Sequence, residues 1–355
     1  MQSPDMSHGA RVAAHGAVST ALGGYSDDAL QELLATGAPL GAGIGGATRL
    51  LDVGGTAVFV KQVRLTDLER RPENWLSTAN LFGLPMFCHY GVGLIGGPGF
   101  GAWRELAVHT MTTDWVLAGD HEGFPLTYHW RVLPDAGHPL PEELADVDRA
   151  VAYWGGGEAV RRRIEAVERS SASLVLFLEY IPHTLHDWLW RQVEAGKAES
   201  ACAMVDAELG AGIDAMNARG LLHLDAHFEN ILTDGSRLYL ADYGLAVSDR
   251  FELAPDEVRF LDEHRDYDRA YAATHLVTWL TVALRGYDPE ARREFVQKCA
   301  QGVSPAGVPA GVADLLLRHA LVAAATGDFY RRFQRESRTT PYPAGAIRRL
   351  ATRPA

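Results

Sequence analysis

The sequence predicts an α+β protein of two lobes, a small β-rich N-lobe followed by a larger helical C-lobe. Three observations carry that expectation. Strand-type patterning is concentrated in the first half of the chain and helical patterning dominates the second. A short strand hairpin also follows at once on the polar stretch HLDAHFEN at residues 223–230. The 355 residues suffice for two lobes, and 47% hydrophobic with 22% charged residues is ordinary globular composition.

Residues 1–25 read as a flexible lead-in of Ala, Gly and polar residues. The segment 27–37 spaces Leu30, Leu33 and Leu34 as a helix does, with acids at its start and Gly37 as a stop. Residues 38–63 read as two strands with a Gly-rich turn between them and a second turn at Gly54–Gly55. Residues 64–101 are rich in Gly and Pro and irregular. A helix over 102–119, a strand over 124–133 and a charged helical stretch over 141–170 follow. The continuous apolar run 174–181 is a buried strand. Thr184 is a candidate N-cap, with Asp187 three residues on. Residues 199–220 are helical, two short strands flank 234–237, and 264–350 is helical. The N-lobe then spans 26–182, with the irregular 64–101 and the stretch 134–173 inside it, and the C-lobe spans 183–355.

The net charge of −12 speaks against a nucleic-acid partner. No run of about 18 apolar residues predicts a membrane span. Three separated cysteines without a CxxC pair suit a reducing cytoplasm and make a zinc–cysteine site improbable.

HLDAHFEN packs His223, Asp225, His227, Glu229 and Asn230 into eight residues. A metal reading would join His223 and Asp225 to a distal His264 or His275 as an iron facial triad, or pair His223 with His227 on a helix around zinc. A phosphate-transfer reading needs a second carboxylate for Mg2+, a cation for the phosphates and a flexible backbone cradle. Asp242 in ADYG, Lys61 in VFVK and the glycines of GAGIGG (Gly41, Gly43, Gly45, Gly46) stand in that order. Lys61 is one of only three lysines among 33 basic residues, so its retention asks for a reason.

With these pieces the chain resembles the protein-kinase-like superfamily, which includes eukaryotic-type Ser/Thr protein kinases and aminoglycoside-phosphotransferase-like small-molecule kinases. GAGIGG, VFVK, LFLEYI, HLDAHFEN and ADYG cover about residues 38 to 246 in family order. The resemblance implies a bilobal kinase fold and a cytoplasmic ATP- and Mg2+-dependent enzyme that moves a phosphate to a hydroxyl. Asp225 would orient the acceptor and take its proton. Asn230 and Asp242 would ligate Mg2+, and Lys61 would neutralise the α- and β-phosphates. Gly41, Gly43 and Gly46 would cradle the phosphates, and His223 would brace the loop. Backbone groups near Glu179, Tyr180 and Ile181 would bind adenine.

Glu105 is the implied partner of Lys61. The separation exceeds the family norm, which makes 64–101 an insertion. Glu69 and Glu73 are the alternatives, but Pro72 disfavours a helix through them. Asp268 either anchors the catalytic loop or is an ordinary acid at a helix start. GVGLIG at 91–96 reads as a loop, not a dinucleotide fingerprint.

The acceptor stays open. FENILTDG resembles protein-kinase wording, which puts a Ser/Thr side chain of a protein or peptide slightly ahead. His227 stands where protein kinases have lysine and small-molecule kinases commonly have histidine. No Ala-Pro-Glu follows ADYG, and 245–260 is short and acidic. A nucleotide-binding pseudokinase is the further alternative.

Overall fold

The structure is a computed structural model that describes residues 6–43, 46–93, 95–135 and 140–351. It is mixed α+β, and it divides into two compact units. The first runs to Ile181 and takes in Ala241–Ala246 and Arg250–Pro255; the second holds the remainder.

The first unit begins with helices α1 (His8–Gly23) and α2 (Asp27–Thr36). Strands β1 (Ala38–Gly43), β2 (Gly46–Val53) and β3 (Thr56–Leu65) follow. Three strands form where the sequence suggests two. Gly54 and Gly55 both take positive φ, as a two-residue hairpin turn requires, and pair Val53 with Thr56. Among the described residues of 66–101 the helical elements are two short 3-10 turns, and the described residues of GVGLIG lie outside any strand, with Leu94 outside the described residues. Helix α3 (Ala102–Leu117), β4 (Thr127–Pro134), α4 (Glu142–Ala145), α5 (Val147–Tyr153), α6 (Glu158–Glu168) and β5 (Ala172–Glu179) complete the unit's main elements. The sheet is antiparallel in the order β1-β2-β3-β5-β4. Every residue of β5 is buried, which is why that strand reads as an unbroken apolar run. Trp103 and Leu106 of α3 pack onto the sheet against Leu65, Leu174 and Leu176.

The expected flexible lead-in over 1–25 is instead largely α1, capped by Ser7. Only Arg11, Val18 and Leu22 are buried on it, so its apolar signal is weak. Its anchor is charged. Arg11 donates through Nε to Glu179 Oε1 (2.8 Å) and through Nη2 to Oε2 (2.7 Å). It also donates to the Glu122 and Phe124 carbonyls. A partner 168 residues away leaves no local trace in the sequence.

The second unit starts with β6 (His183–Thr184), α7 (Leu185–Glu194) and α8 (Ala198–Asn217). Thr184 caps α7 by accepting from the Asp187 amide. Then come β7 (Leu221–Leu222), β8 (Ile231–Thr233), β9 (Leu238–Leu240) and β10 (Val247–Ser248). β6, β8 and β9 form one small sheet, and β7 pairs with β10. Helix α9 (Pro255–Glu263) forms in the acidic stretch where no element is expected, with Pro255 opening it and Asp256 and Glu257 in its first turn. Helices α10 (Tyr267–Arg285), α11 (Pro289–Ala300), α12 (Ala310–Arg335) and α13 (Ala344–Ala351) follow. By length and composition α12 is the one described helix able to cross a bilayer. Here it packs against α10 and α11, with Leu315, Leu316, Phe329 and Phe333 buried.

Replacing Arg11 by Met leaves the Glu179 carboxylate buried without its cation, a loss of about 3–5 kcal/mol for a buried ion pair. Urea unfolding of Arg11→Met is expected to show a loss of that size. A truly loose lead-in would show none.

Candidate active site

Alternation along β3 puts Phe59, Lys61 and Val63 on one face. Phe59 and Val63 border the cluster that includes Trp103 and Leu106, so α3 covers this face. Glu105 lies on the same helix, between those two anchors, and its Oε1 meets Lys61 Nζ at 2.6 Å. Asp242, two residues past β9, meets the same ammonium at 3.0 Å. Lys61 and Glu105 are buried, whereas the Asp242 side chain is 40% exposed. Burial works against the lysine charge, but Asp242 and Glu105 outweigh it and hold the ammonium above the ordinary lysine range. Burial raises the Glu105 carboxyl; Lys61 pulls it down and Asp242 pushes it back.

Asp242 has φ +61°, a left-handed backbone that costs a non-glycine residue energy and recurs at functional positions. Tyr243 beside it is buried; its hydroxyl bonds Thr112, and its ring meets His109 edge-on at 4.9 Å. Glu105, His109 and Thr112 therefore form one stripe of α3 at i, i+4 and i+7. The reading of the sequence missed His109 and Thr112, although this polar stripe on a buried helix was a usable signal. Burial and then the Lys61 charge push the His109 imidazole down to about 3, so it is neutral at physiological pH.

The glycine segment is mostly strand rather than turn: Gly41 and Gly43 end β1, and Gly43 pairs with Gly46 at the start of β2. Ile44 and Gly45 lie outside the described residues. Gly46 has φ +115°, and a Cβ there would fall 1.9 Å from the Gln62 carbonyl oxygen, so only glycine fits. The next register positions pair Ala47 with Gln62 and Thr48 with Lys61.

The structure narrows the backbone groups expected to meet adenine. The Glu179 amide donates to the Leu126 carbonyl at 2.7 Å, and its carboxylate is taken by Arg11 and the Leu126 amide. That N–H is not available to adenine. Tyr180 and Ile181, just past the strand, remain the candidate backbone groups.

In the second unit, Asp268 at the start of α10 accepts from the backbone amides of His223 and Leu224, both at 2.8 Å. It thus anchors the loop. Burial, opposed by these two bonds, raises its carboxyl to about 6. Leu224 sits at φ +65°, a strained conformation for a buried leucine, held by the paired bonds to Asp268. The Asp225 amide donates to His223 Nδ1 (3.3 Å), which makes the buried His223 a brace. Asn230 Nδ2 donates to the Asp225 carbonyl (3.0 Å) and to Oδ2 (3.2 Å). Tyr271, one turn past Asp268, bonds the same carboxylate through its hydroxyl. Sequence reasoning missed Tyr271, for which the i, i+3 spacing from Asp268 was the only hint.

Asn230 spends its N–H on Asp225, so its Oδ1 is the atom left for a hard cation, and the half-open Asp242 carboxylate is of the same oxygen class. Taken separately, each is an oxygen donor of the kind that suits Mg2+ better than a soft metal. Among the described residues no group of three or more His, Cys, Asp or Glu side chains is placed to hold a metal. His223, Asp225, His264 and His275 accordingly form no triad. His264 instead stacks between Phe260 and Tyr342.

No protein-family model matches the chain, and no curated protein matches it.

A buried neutral histidine couples this cluster to pH. The unfolded ring takes a proton near 6.5 and the folded one only near 3, so acidification between those values destabilises the fold. His109→Phe is expected to show a smaller fall in melting temperature than wild type between about pH 7 and about pH 4. Equal falls would mean that His109 is not buried as described.

Proposed function

We propose that the protein is an ATP- and Mg2+-dependent phosphotransferase of protein-kinase-like fold that moves the γ-phosphate to a hydroxyl acceptor in the cytoplasm. The observation that carries this reading is the cluster of Lys61, Glu105 and Asp242. A lysine kept charged out of water, tethered by one buried carboxylate beside a second that is half open, suits a polyphosphate with its cation. A purely structural pair would not need the second, exposed carboxylate.

In this reading Glu105 holds the Lys61 ammonium toward the α- and β-phosphates. The backbone at Gly41, Gly43 and Gly46 closes on the phosphates, and Tyr180 and Ile181 meet adenine. Asp242 and Asn230 would hold Mg2+, which neutralises phosphate charge when bound. Asp225, fixed by Asn230 and Tyr271, accepts the proton of the acceptor hydroxyl. The hydroxyl oxygen bonds to the γ-phosphorus, the bond to the bridging oxygen breaks and ADP leaves. Joining the two sets of residues on one nucleotide rests on the order of the motifs in the sequence.

A Ser/Thr side chain of a protein or peptide is the leading acceptor, from the wording of FENILTDG. A small alcohol is the second reading, supported by His227. Its Nε2 lies 3.8 Å from Asp225 Oδ1, a site where protein kinases carry a lysine.

Calorimetry should find ATP binding that requires Mg2+ and is lost in Asp242→Ala. Asp225→Ala should bind ATP as wild type does while transfer from labelled ATP falls by roughly 10²–10⁴-fold, the usual worth of a positioned general base. Peptides assayed beside small alcohols decide the acceptor. Binding without transfer or hydrolysis would leave a nucleotide-binding pseudokinase, and absence of binding to wild type would end the reading.

A further inference from the structure

Glu69 lies in the loop after β3, outside the cluster just described, yet it is buried and fully engaged. Its Oε2 accepts from the Thr66 amide (2.9 Å), the Thr66 hydroxyl (2.6 Å) and Arg163 Nη1 (3.0 Å). Its Oε1 accepts from the Ala102 amide (2.8 Å), the first residue of α3. Its main-chain oxygen accepts from Trp103 Nε1 (2.9 Å). Arg163 in turn donates through Nε to the Pro98 and Gly99 carbonyls, so the chain entering α3 is clamped from two sides. Gly101 has φ +131°, and a Cβ there would lie 2.8 Å from Glu69 Oε1. The sequence therefore keeps this position open for the carboxylate.

Apolar packing of Trp103 and Leu106 holds α3 on the sheet but is non-directional and tolerates sliding. A slip of one residue moves a helix by about 1.5 Å and turns it by about 100°. That would carry Glu105 off Lys61. Directional bonds to the first turn, one turn before Glu105, remove that freedom.

We propose that Glu69 is a positioning residue for the Lys61–Glu105 pair: its carboxylate, clamped by Arg163 and Thr66, fixes the register of α3 at which Glu105 reaches the lysine. The pair is then set permanently by the 64–101 insertion, with no modification needed to bring α3 into place. The geometric half of this inference stands alone; its meaning for ATP rests on the kinase reading.

The three lysines allow a test that needs no nucleotide. Protein labelled with 13Cε,15Nζ-lysine gives signals from Lys61, Lys197 and Lys298 only. Glu105→Gln identifies how the Lys61 signal and its titration move when the pair is lost. Glu69→Gln is expected to move Lys61 in the same direction, leaving Lys197 and Lys298 unchanged, and to raise the KM for ATP several-fold more than it lowers kcat. A folded Glu69→Gln with an unmoved Lys61 signal overturns the proposal, whatever its melting temperature. If Glu69→Gln does not fold, Thr66→Val, which removes the two hydroxyl bonds to Glu69 and no charge, is expected to move Lys61 less and the same way; no movement there overturns it too. Should wild type bind no ATP, the kinase reading falls, and the lysine signals still decide the role of Glu69.

Discussion

A lysine charge taken out of water is the constraint on which the arrangement of the first unit depends. Burying an ammonium costs several kcal/mol unless it is paired with good geometry. Lys61 meets that cost with two carboxylates, one from α3 and one from the segment after β9. Once it is placed on β3, α3 has to cover that face of the sheet in a defined register, and the 241–246 segment has to turn back beneath it. The left-handed backbone of Asp242 is strain that the buried Tyr243, held by Thr112 and His109, helps to offset.

The second unit applies the same logic with a carboxylate in place of the lysine. Asp268 is buried, and its charge is compensated by two backbone amides rather than a cation. Those bonds hold Leu224 in a conformation it would not adopt in isolation and so aim Asp225. Tyr271 and Asn230 then fix the Asp225 carboxylate from two further directions. Such over-determination narrows the orientations open to the Asp225 carboxylate, which a looser loop would leave spread. In both units the groups that do the positioning sit one or two helical turns apart on helices, α3 in the first and α10 in the second.

The described residues of 66–101 show how irregular chain can be ordered with little regular structure. Its polar groups are answered individually: Asn80 bonds the amide and carbonyl of Leu84, His89 bonds the Leu245 carbonyl, and Glu252 accepts from Ser77 and Thr78. Loss of regular hydrogen bonding is thereby compensated by side chains, as buried backbone requires.

Elements whose own residues carry a strong local signal were legible in the sequence. The apolar run of β5, the cap at Thr184, the turn at Gly54–Gly55 and the His-x-Asp-x4-Asn loop could all be read from neighbouring residues, because their physics is local. Helix α1 could not, since its anchor is an arginine whose partner lies on another strand. Nor could the roles of His109, Tyr271 and Glu69, which follow from what a buried helix face or a folded loop brings together. Sequence determined which chemical groups are present and in what order. The sequence put Glu105 ahead of Glu69 and Glu73, and tertiary structure decided that Glu105 meets Lys61. The choice turns on the register of a helix, and that register is set by directional bonds between residues far apart in the chain.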